Sequence, residues 1–116
     1  MTTTIYHNPK CSKSRATLQI LEEKNVELTI INYLDAPPSQ ADLKRILQLL
    51  DKKPQEIIRF KEKEARDLNL SAEDDRDLEG WLELMISHPI LIERPIVVSG
   101  DKAVMGRPPE NVLSLI

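Results

Sequence analysis

The hydrophobic positions of the chain change from a strand pattern to a helix pattern and back again. Residues 3–6 form a short β-prone run, and residues 12–24 then follow a helical pattern with Leu18 and Leu21 on its inner face. A second β-branched and apolar run covers residues 27–33, after a possible left-handed cap at Asn25. A helix between two such strands predicts a parallel β-α-β unit with a right-handed crossover.

The middle of the chain has a helical pattern throughout. Pro37 and Pro38 interrupt the chain, and Ser39 with Asp42 three residues later has the spacing of a capping box. Pro54 is expected at a first helical position. We therefore expect an all-helical insertion over about residues 39–88. Ile57 and Ile58, after Pro54, are expected to be buried. The apolar residues at helical spacing are Leu43, Ile46, Leu47, Leu50, Leu78, Trp81, Leu82, Met85 and Ile86.

The last part of the chain returns to strands. Residues 95–98 predict a strand, residues 99–102 a hairpin turn and residues 103–105 its partner strand. A final helix is expected from about Gly106, with Val112, Leu113, Leu115 and Ile116 facing inward. This order of elements predicts an α/β fold of the thioredoxin-like type. It would have a four-stranded mixed sheet, flanking helices and the central helical insertion, within a single domain of residues 1–116.

Composition excludes several classes of function. The chain is 41% hydrophobic and 30% charged, and its net charge of −3 and four aromatic residues argue against nucleic-acid binding. No apolar run approaches the ~20 residues of a membrane span, and the N-terminus has no signal-peptide pattern, so we expect a cytoplasmic protein. The single cysteine permits no internal disulfide, and the spacing of Cys and His indicates no metal site.

The chemistry is expected to centre on that cysteine, Cys11. Asn8 and Pro9 must end the first strand, so Cys11 falls at the N-terminus of the first helix, where unpaired N–H groups favour an anion. Nearby cations should lower the thiol pKa below ~8.5 and make Cys11 a nucleophile. The alternative is that Cys11 is a small buried hydrophobic residue. The cations concerned are Lys10, Lys13, Arg15 and, with less support, His7.

Arg59, Arg94 and Arg107 lie at element boundaries, where side chains often reach the rim of a sheet. Arginine binds tetrahedral oxyanions through two parallel hydrogen bonds, so three arginines around one thiolate could hold a phosphate-like ion. They could equally be three unrelated surface residues, and spacing alone does not choose between these interpretations.

The motifs of the chain resemble those of a known family. They are His7-Asn8-Pro9-x-Cys11-x-x-Ser14-Arg15, Asn32-Tyr33-Leu34 followed by Pro37-Pro38, His88-Pro89-Ile90-Leu91-Ile92-x-Arg94-Pro95-Ile96-Val97-Val98, and Gly106-Arg107-Pro108. Over nearly the whole chain the sequence resembles the glutaredoxin-linked arsenate reductases, most of all the shorter members without the C-terminal tail of the longer ones.

This resemblance implies that the Cys11 thiolate attacks As(V) to form a thioarsenate adduct. It also implies that Arg59, Arg94 and Arg107 bind the substrate anion, that His7 and Ser14 help to lower the cysteine pKa, and that the peptide bond before Pro95 is cis. No cofactor would be tightly bound. Since the chain has no second cysteine to resolve the adduct, glutathione and glutaredoxin are expected as external reductants.

Other functions match parts of this pattern. A low-mass cysteine phosphatase needs an arginine six residues after its cysteine, where this chain has Thr17. A monothiol glutathione-linked oxidoreductase fits the Cys-x-x-Ser arrangement of Cys11 and Ser14. A Spx-type regulator that binds RNA polymerase shares the fold, but such redox sensors usually carry Cys-x-x-Cys. A small oxyanion other than arsenate also remains open as the substrate.

Overall fold

A computed structural model describes residues 2–116 and divides them into two compact units. The first unit, which contains the sheet, comprises the residues up to Ala36 and those from Arg94 onward. The second comprises Pro37–Glu93 and is helical. The single-domain organisation stays a prediction.

The first unit contains a mixed sheet of four strands. The strands are β1 (Thr3–His7), β2 (Leu28–Asn32), β3 (Ile96–Ser99) and β4 (Lys102–Met105), in the spatial order β2-β1-β3-β4. β1 pairs with β2 in parallel and with β3 antiparallel, and β3 pairs antiparallel with β4. The register places Tyr6 opposite Ile96, and Ile96 opposite Met105. The end of β1, the start of β3 and the end of β4 therefore lie at the same end of the sheet.

Helix α1 (Ser12–Glu23) joins β1 to β2, as the β-α-β pattern predicts. The residue after its cap, Asn25, has the expected left-handed backbone, with φ 55°. Ile5 of β1, Leu21 of α1, Val97 of β3 and Val112 form a fully buried core. Partly buried residues pack around them: Leu18, Ile20, Val26, Leu28, Val104 and Leu115. Burial of these apolar surfaces fixes α1, and hence its first turn, against the sheet.

The second unit consists of α2 (Gln40–Leu50), α3 (Lys63–Asp67), α4 (Leu78–Ser87) and 3₁₀ turns at Pro54–Ile57 and Pro89–Leu91. The capping box of Ser39 and Asp42 is confirmed. Trp81 is 1% exposed and meets the ring of Phe60 edge-on, with 6.2 Å between centroids, so it is a core residue as predicted. No helix among residues 2–116 is both long enough and apolar enough to cross a membrane.

The last element differs from the expected helix. It is a 3₁₀ helix, Pro109–Leu115, in which Leu113 is 46% exposed and the following Ile116 is 42% exposed, so the prediction that both face inward is wrong. A 3₁₀ helix has three residues per turn, so one face repeats every third position. That face carries Pro109, Val112 and Leu115, which are buried or partly buried. Leu78, which falls at the same helical spacing as the buried Trp81 and Leu82, is 38% exposed because it occupies the first position of α4.

We expect Leu21→Ala to lower the free energy of unfolding by ~2–5 kcal/mol, because it removes a fully buried side chain from the core. Leu113→Ala is the matched control on the exposed face of the 3₁₀ helix and should cost about 0.5 kcal/mol or less. Urea unfolding of the two variants measures both values. Equal losses would contradict the placement of these leucines.

Candidate functional site

Cys11 is the N-cap residue of α1, at the end of the short connection from β1. Its backbone is extended, with φ −99° and ψ 124°, and its carbonyl accepts the Arg15 N–H at 3.0 Å. Its own N–H donates to the carbonyl oxygen of Asn8 at 3.0 Å, which closes the turn. The thiol is thus held where the helix presents its unpaired N–H groups, as the sequence predicts.

Buried polar groups hold this connection in place. The Asn8 side-chain oxygen accepts the Lys10 N–H at 3.0 Å, and the Asn8 N–H donates to Ser14 Oγ at 3.0 Å. Ser14 Oγ also lies 2.6 Å from His7 Nδ1. Asn8 is 4% exposed and Ser14 is fully buried. Because burial shields their hydrogen bonds from water, those bonds are electrostatically stronger than in solvent. The sequence indicated only that Asn8 is part of a turn. Its buried side chain also stabilises that turn, through the hydrogen bond from the Lys10 N–H.

The pKa of the Cys11 thiol lies below its ordinary value. Partial burial of the sulfur alone would raise the pKa. The backbone N–H of Ser14, the Arg94 side chain and the backbone N–H of Lys13 each lower the pKa and together outweigh burial, and the Arg94 charge lowers it further. The thiol makes no full capping hydrogen bond to the first turn, so these N–H groups act as nearby dipoles. The predicted direction is confirmed, although the charge responsible is that of Arg94.

His7 is 7% exposed, and its pKa is lowered by burial and by the nearby Arg15 charge, against a smaller opposing effect of Glu22. The imidazole is therefore neutral near pH 7 and supplies no positive charge to Cys11. Its hydrogen-bond partner in the first turn of α1 is Ser14 Oγ. A role for His7 and Ser14 in tuning the cysteine pKa stays a prediction.

Two of the three predicted arginines lie in the unit that contains Cys11. Arg94 acts on the thiol as described, and Nη1 of Arg107 donates to the Arg94 carbonyl oxygen at 3.3 Å. The Arg94–Pro95 peptide bond is cis, as the resemblance implies, and so is Arg107–Pro108. The structure thus brings Cys11, Arg94 and Arg107 together; their binding of a substrate anion stays a prediction.

Arg59 belongs to the helical unit. Its Nε lies 2.9 Å from Glu62 Oε1 and its Nη1 lies 2.8 Å from Glu93 Oε1. Burial works against the charged form, but the two carboxylates raise the pKa of Arg59 above its ordinary value. Arg59 therefore remains charged, and two anions already compensate that charge. Its part in an anion site stays a prediction.

Gly106 occupies a position with no room for a side chain. A Cβ atom there would lie 2.5 Å from Thr17 Oγ1 and 2.6 Å from Pro95 Cγ. The Gly106 N–H donates to the Pro95 carbonyl oxygen at 2.9 Å, and Thr17 Oγ1, in addition to its bond to Lys13, lies 3.3 Å from the Gly106 oxygen. Gly106 therefore ties α1 to the segments that carry Arg94 and Arg107. Sequence reasoning did not identify Thr17 as part of this contact, because its partners are far away along the chain.

We expect iodoacetamide to alkylate Cys11 with a pH midpoint below ~8.5, because the thiolate is stabilised. Arg94→Ala should raise that midpoint, since it removes a hydrogen bond and a positive charge that favour the thiolate, and alkylation near pH 6 should slow accordingly. Lys102→Gln, at the opposite end of the sheet, serves as the control for a lost positive charge. An unchanged midpoint in Arg94→Ala would contradict the assignment.

We expect Gly106→Ala to destabilise the fold by ~1–3 kcal/mol, because its methyl group overlaps Thr17 and Pro95. Gly80→Ala in α4 is the control. A methyl group there meets Asp77 Oδ1 at 3.0 Å, and alanine is the better helix former by ~1 kcal/mol, so no comparable loss is expected. Thermal unfolding of both variants decides, and an equally stable Gly106→Ala would refute the close contact.

Comparisons with known proteins agree with this geometry. The sequence model of the ArsC family matches residues 6–115. "Uncharacterized protein YfgD" of Escherichia coli K12 is 44% identical over 113 residues, which cover 97% of this chain and 94% of that protein. An arsenate reductase of Haemophilus influenzae is 42% identical over 117 residues and the full length of both chains.

The solved structure of an arsenate reductase from Vibrio cholerae superposes on this chain with a TM-score of 0.92. Its sequence identity is 44%, and the match covers 100% of this chain and 98% of that one. The predicted fold class, a thioredoxin-like α/β fold with a four-stranded mixed sheet, is therefore confirmed. With a family match over nearly its whole length and full-length relatives above 40% identity, the chain belongs to the ArsC family.

Proposed function

We propose that this protein reduces arsenate to arsenite, with the Cys11 thiolate as the nucleophile. The observation that carries the proposal is the stabilisation of this thiolate by the first turn of α1 and by Arg94. The names of full-length relatives in the same family support the substrate. A cysteine that is ionised near neutral pH is the form that attacks an electrophile.

In the first step, the Cys11 sulfur attacks the arsenic atom of dihydrogen arsenate. A sulfur–arsenic bond forms and one oxygen leaves as hydroxide, so arsenic stays As(V). Negative charge accumulates on the arsenate oxygens as the sulfur attacks, before the hydroxide departs. The guanidinium groups of Arg94 and Arg107 would bind these oxygens and stabilise that charge.

In the second step, an external thiolate attacks the Cys11 sulfur of the adduct. A sulfur–sulfur bond forms, and the sulfur–arsenic bond breaks with its electron pair left on arsenic, which becomes As(III). Arsenite leaves after protonation, and Cys11 is left in a mixed disulfide. A second thiol then releases the Cys11 thiolate. Because residues 2–116 contain only one cysteine, both thiols must come from outside the chain.

We propose glutathione as the first of these thiols and glutaredoxin as the source of the second. A reducing compartment such as the cytoplasm is the setting in which this cycle can be sustained. In this scheme no tightly bound cofactor is needed, since the electrons arrive through exchange of disulfides.

We expect arsenate-dependent oxidation of NADPH when the protein is coupled to glutathione, glutaredoxin and glutathione reductase. Cys11→Ser should abolish it, because a hydroxyl is not ionised near neutral pH. Arg94→Ala should lower kcat by roughly 10²-fold, as expected for the loss of one donor to the charge that develops. The assay follows NADPH absorbance, and circular dichroism confirms that each variant is folded.

Arg66→Ala is the matched control, because Arg66 is an exposed arginine of α3. Turnover unaffected by Cys11→Ser would refute the nucleophile. A protein that ignores arsenate but reduces a small mixed disulfide would instead be a monothiol oxidoreductase. Capture of RNA polymerase without arsenate turnover would support the regulator.

A further inference from the structure

The charges of this chain are unevenly distributed along its sequence. Residues 1–21 contain three basic side chains and no acidic one, whereas residues 22–116 contain thirteen basic and nineteen acidic side chains. The three cations are Lys10, Lys13 and Arg15, which we call the cationic rim. They lie within four residues of Cys11 along the chain. The chain has a net charge of −3, but residues 1–21 have a net side-chain charge of +3.

The fold gathers further cations at the same end of the sheet. The cationic rim lies on the connection after β1 and in the first turn of α1, and Arg94 and Arg107 belong to the same unit. This end of the sheet also has two acidic residues nearby. They are Asp35, after β2, and Glu110, in the last 3₁₀ helix. The acids at the opposite end are Glu22, Glu23, Glu27 and Asp101. The end that contains Cys11 is therefore the positive one.

The cationic rim is exposed and is not consumed by structural ion pairs. Within residues 2–116, the side chains of Lys10 and Lys13 make no salt bridge, and the Arg15 side chain donates from Nη1 to the carbonyl oxygen of Pro9, at 2.9 Å. By contrast, Arg59 and Lys63 each pair with carboxylates. The charged side chain that stabilises the thiolate is Arg94. The ammonium groups of the two lysines are thus available to a partner in solution.

We propose that the cationic rim is the recruitment surface for a small thiol that carries carboxylate groups, the reductant that resolves the adduct on Cys11. This inference rests on the proposed function, in which an external thiol must reach Cys11 after arsenic has bound. Positive charge beside the reacting sulfur raises the local concentration of an anionic partner and its rate of encounter. A neutral or cationic thiol of equal intrinsic reactivity gains no such advantage.

Binding of arsenate and recruitment of a thiol make different demands on a cation. An arsenate ion bound by Arg94 and Arg107 needs hydrogen bonds at short range, whereas a thiol peptide approaches from solvent and has its carboxylates several bonds away from its sulfur. The exposed lysine side chains of the cationic rim suit such distant charges, because an ammonium group interacts as a point charge without fixed geometry.

The test measures exchange of Cys11 with three symmetric disulfides: oxidised glutathione, neutral 2-hydroxyethyl disulfide and cationic cystamine. In each case the Cys11 thiolate attacks one sulfur, forms a mixed disulfide and releases one thiolate, which intact-protein mass spectrometry follows. Each rate constant is divided by that of a free neutral thiol, N-acetylcysteinamide, at the same pH. The ratio for oxidised glutathione over the neutral disulfide then isolates the effect of charge.

At low ionic strength we expect this ratio to be about tenfold in the natural protein, with cystamine disfavoured. Lys10→Gln/Lys13→Gln should lower the ratio to within about twofold of one, which is its value for the free thiol. In the natural protein, ~1 M salt should have the same effect, because the Debye length falls to ~3 Å. Lys24→Gln/Lys102→Gln removes equal charge from the opposite end and should leave the ratio unchanged. Arg15 is left in place because it holds the Pro9 carbonyl.

A ratio near one in the natural protein, or a full ratio in Lys10→Gln/Lys13→Gln, would overturn the proposal. The two disulfides are compared within each variant, so a change in thiolate fraction cancels. Exchange also requires no arsenate. A protein without arsenate turnover but with the charge preference would refute the proposed function alone, and turnover without the preference would refute the recruitment surface alone.

Discussion

The packing of Gly106 against Thr17 and Pro95 is the contact on which the arrangement around Cys11 depends. Thr17 lies on α1, six residues after the nucleophile, and Pro95 directly follows Arg94. Because the backbone of Gly106 touches both, the helix that presents the thiol and the two segments that carry arginines are held at one distance from each other. A larger residue would separate them, and the hydrogen bonds from Gly106 to its neighbours would be strained or lost.

The chemistry then follows from a balance of opposing electrostatic effects at one sulfur atom. Burial disfavours the thiolate, while nearby backbone N–H groups and one guanidinium favour it and prevail. The neutral state of His7 fits this balance, since burial suppresses its charge and leaves it as a hydrogen-bonding partner of Ser14. Backbone dipoles have an advantage here: they are part of the helix, so they need no reorganisation when the sulfur loses its proton.

The distribution of charge distinguishes two uses of basic residues. Arg59 is held by two carboxylates and lies in the helical unit, where its pairs also link a turn to the segment before β3. Lys10 and Lys13 have no such partners within residues 2–116 and flank the nucleophile. A reaction cycle that depends on reductants from solvent has a use for uncompensated surface charge, because long-range attraction acts on the rate of encounter before any contact forms.

Much of the fold was predictable from local pattern. The β-α-β unit, the Ser39 capping box, the buried Trp81 and the terminal hairpin each depend on residues close together in sequence, and their periodicity or turn chemistry is legible there. The same holds for the nucleophile, because a turn before a helix determines which residue becomes the N-cap. The final helix is of the 3₁₀ type, and its sequence does not separate Leu113 from its buried neighbours, because the α and 3₁₀ periods differ too little over seven residues.

The sequence by itself thus determined that Cys11 sits at a helix N-terminus and that the chain has no second cysteine with which it could form an internal disulfide. Only the tertiary structure decided which cation acts on the sulfur, because Lys10 and Arg94 carry the same charge and differ in where the folded chain places them. It also decided that His7 is neutral, since burial is a property of the packed molecule. The need for glycine at position 106 has the same origin: it arises from residues 11 and 89 positions away, which meet only once the sheet and α1 have packed.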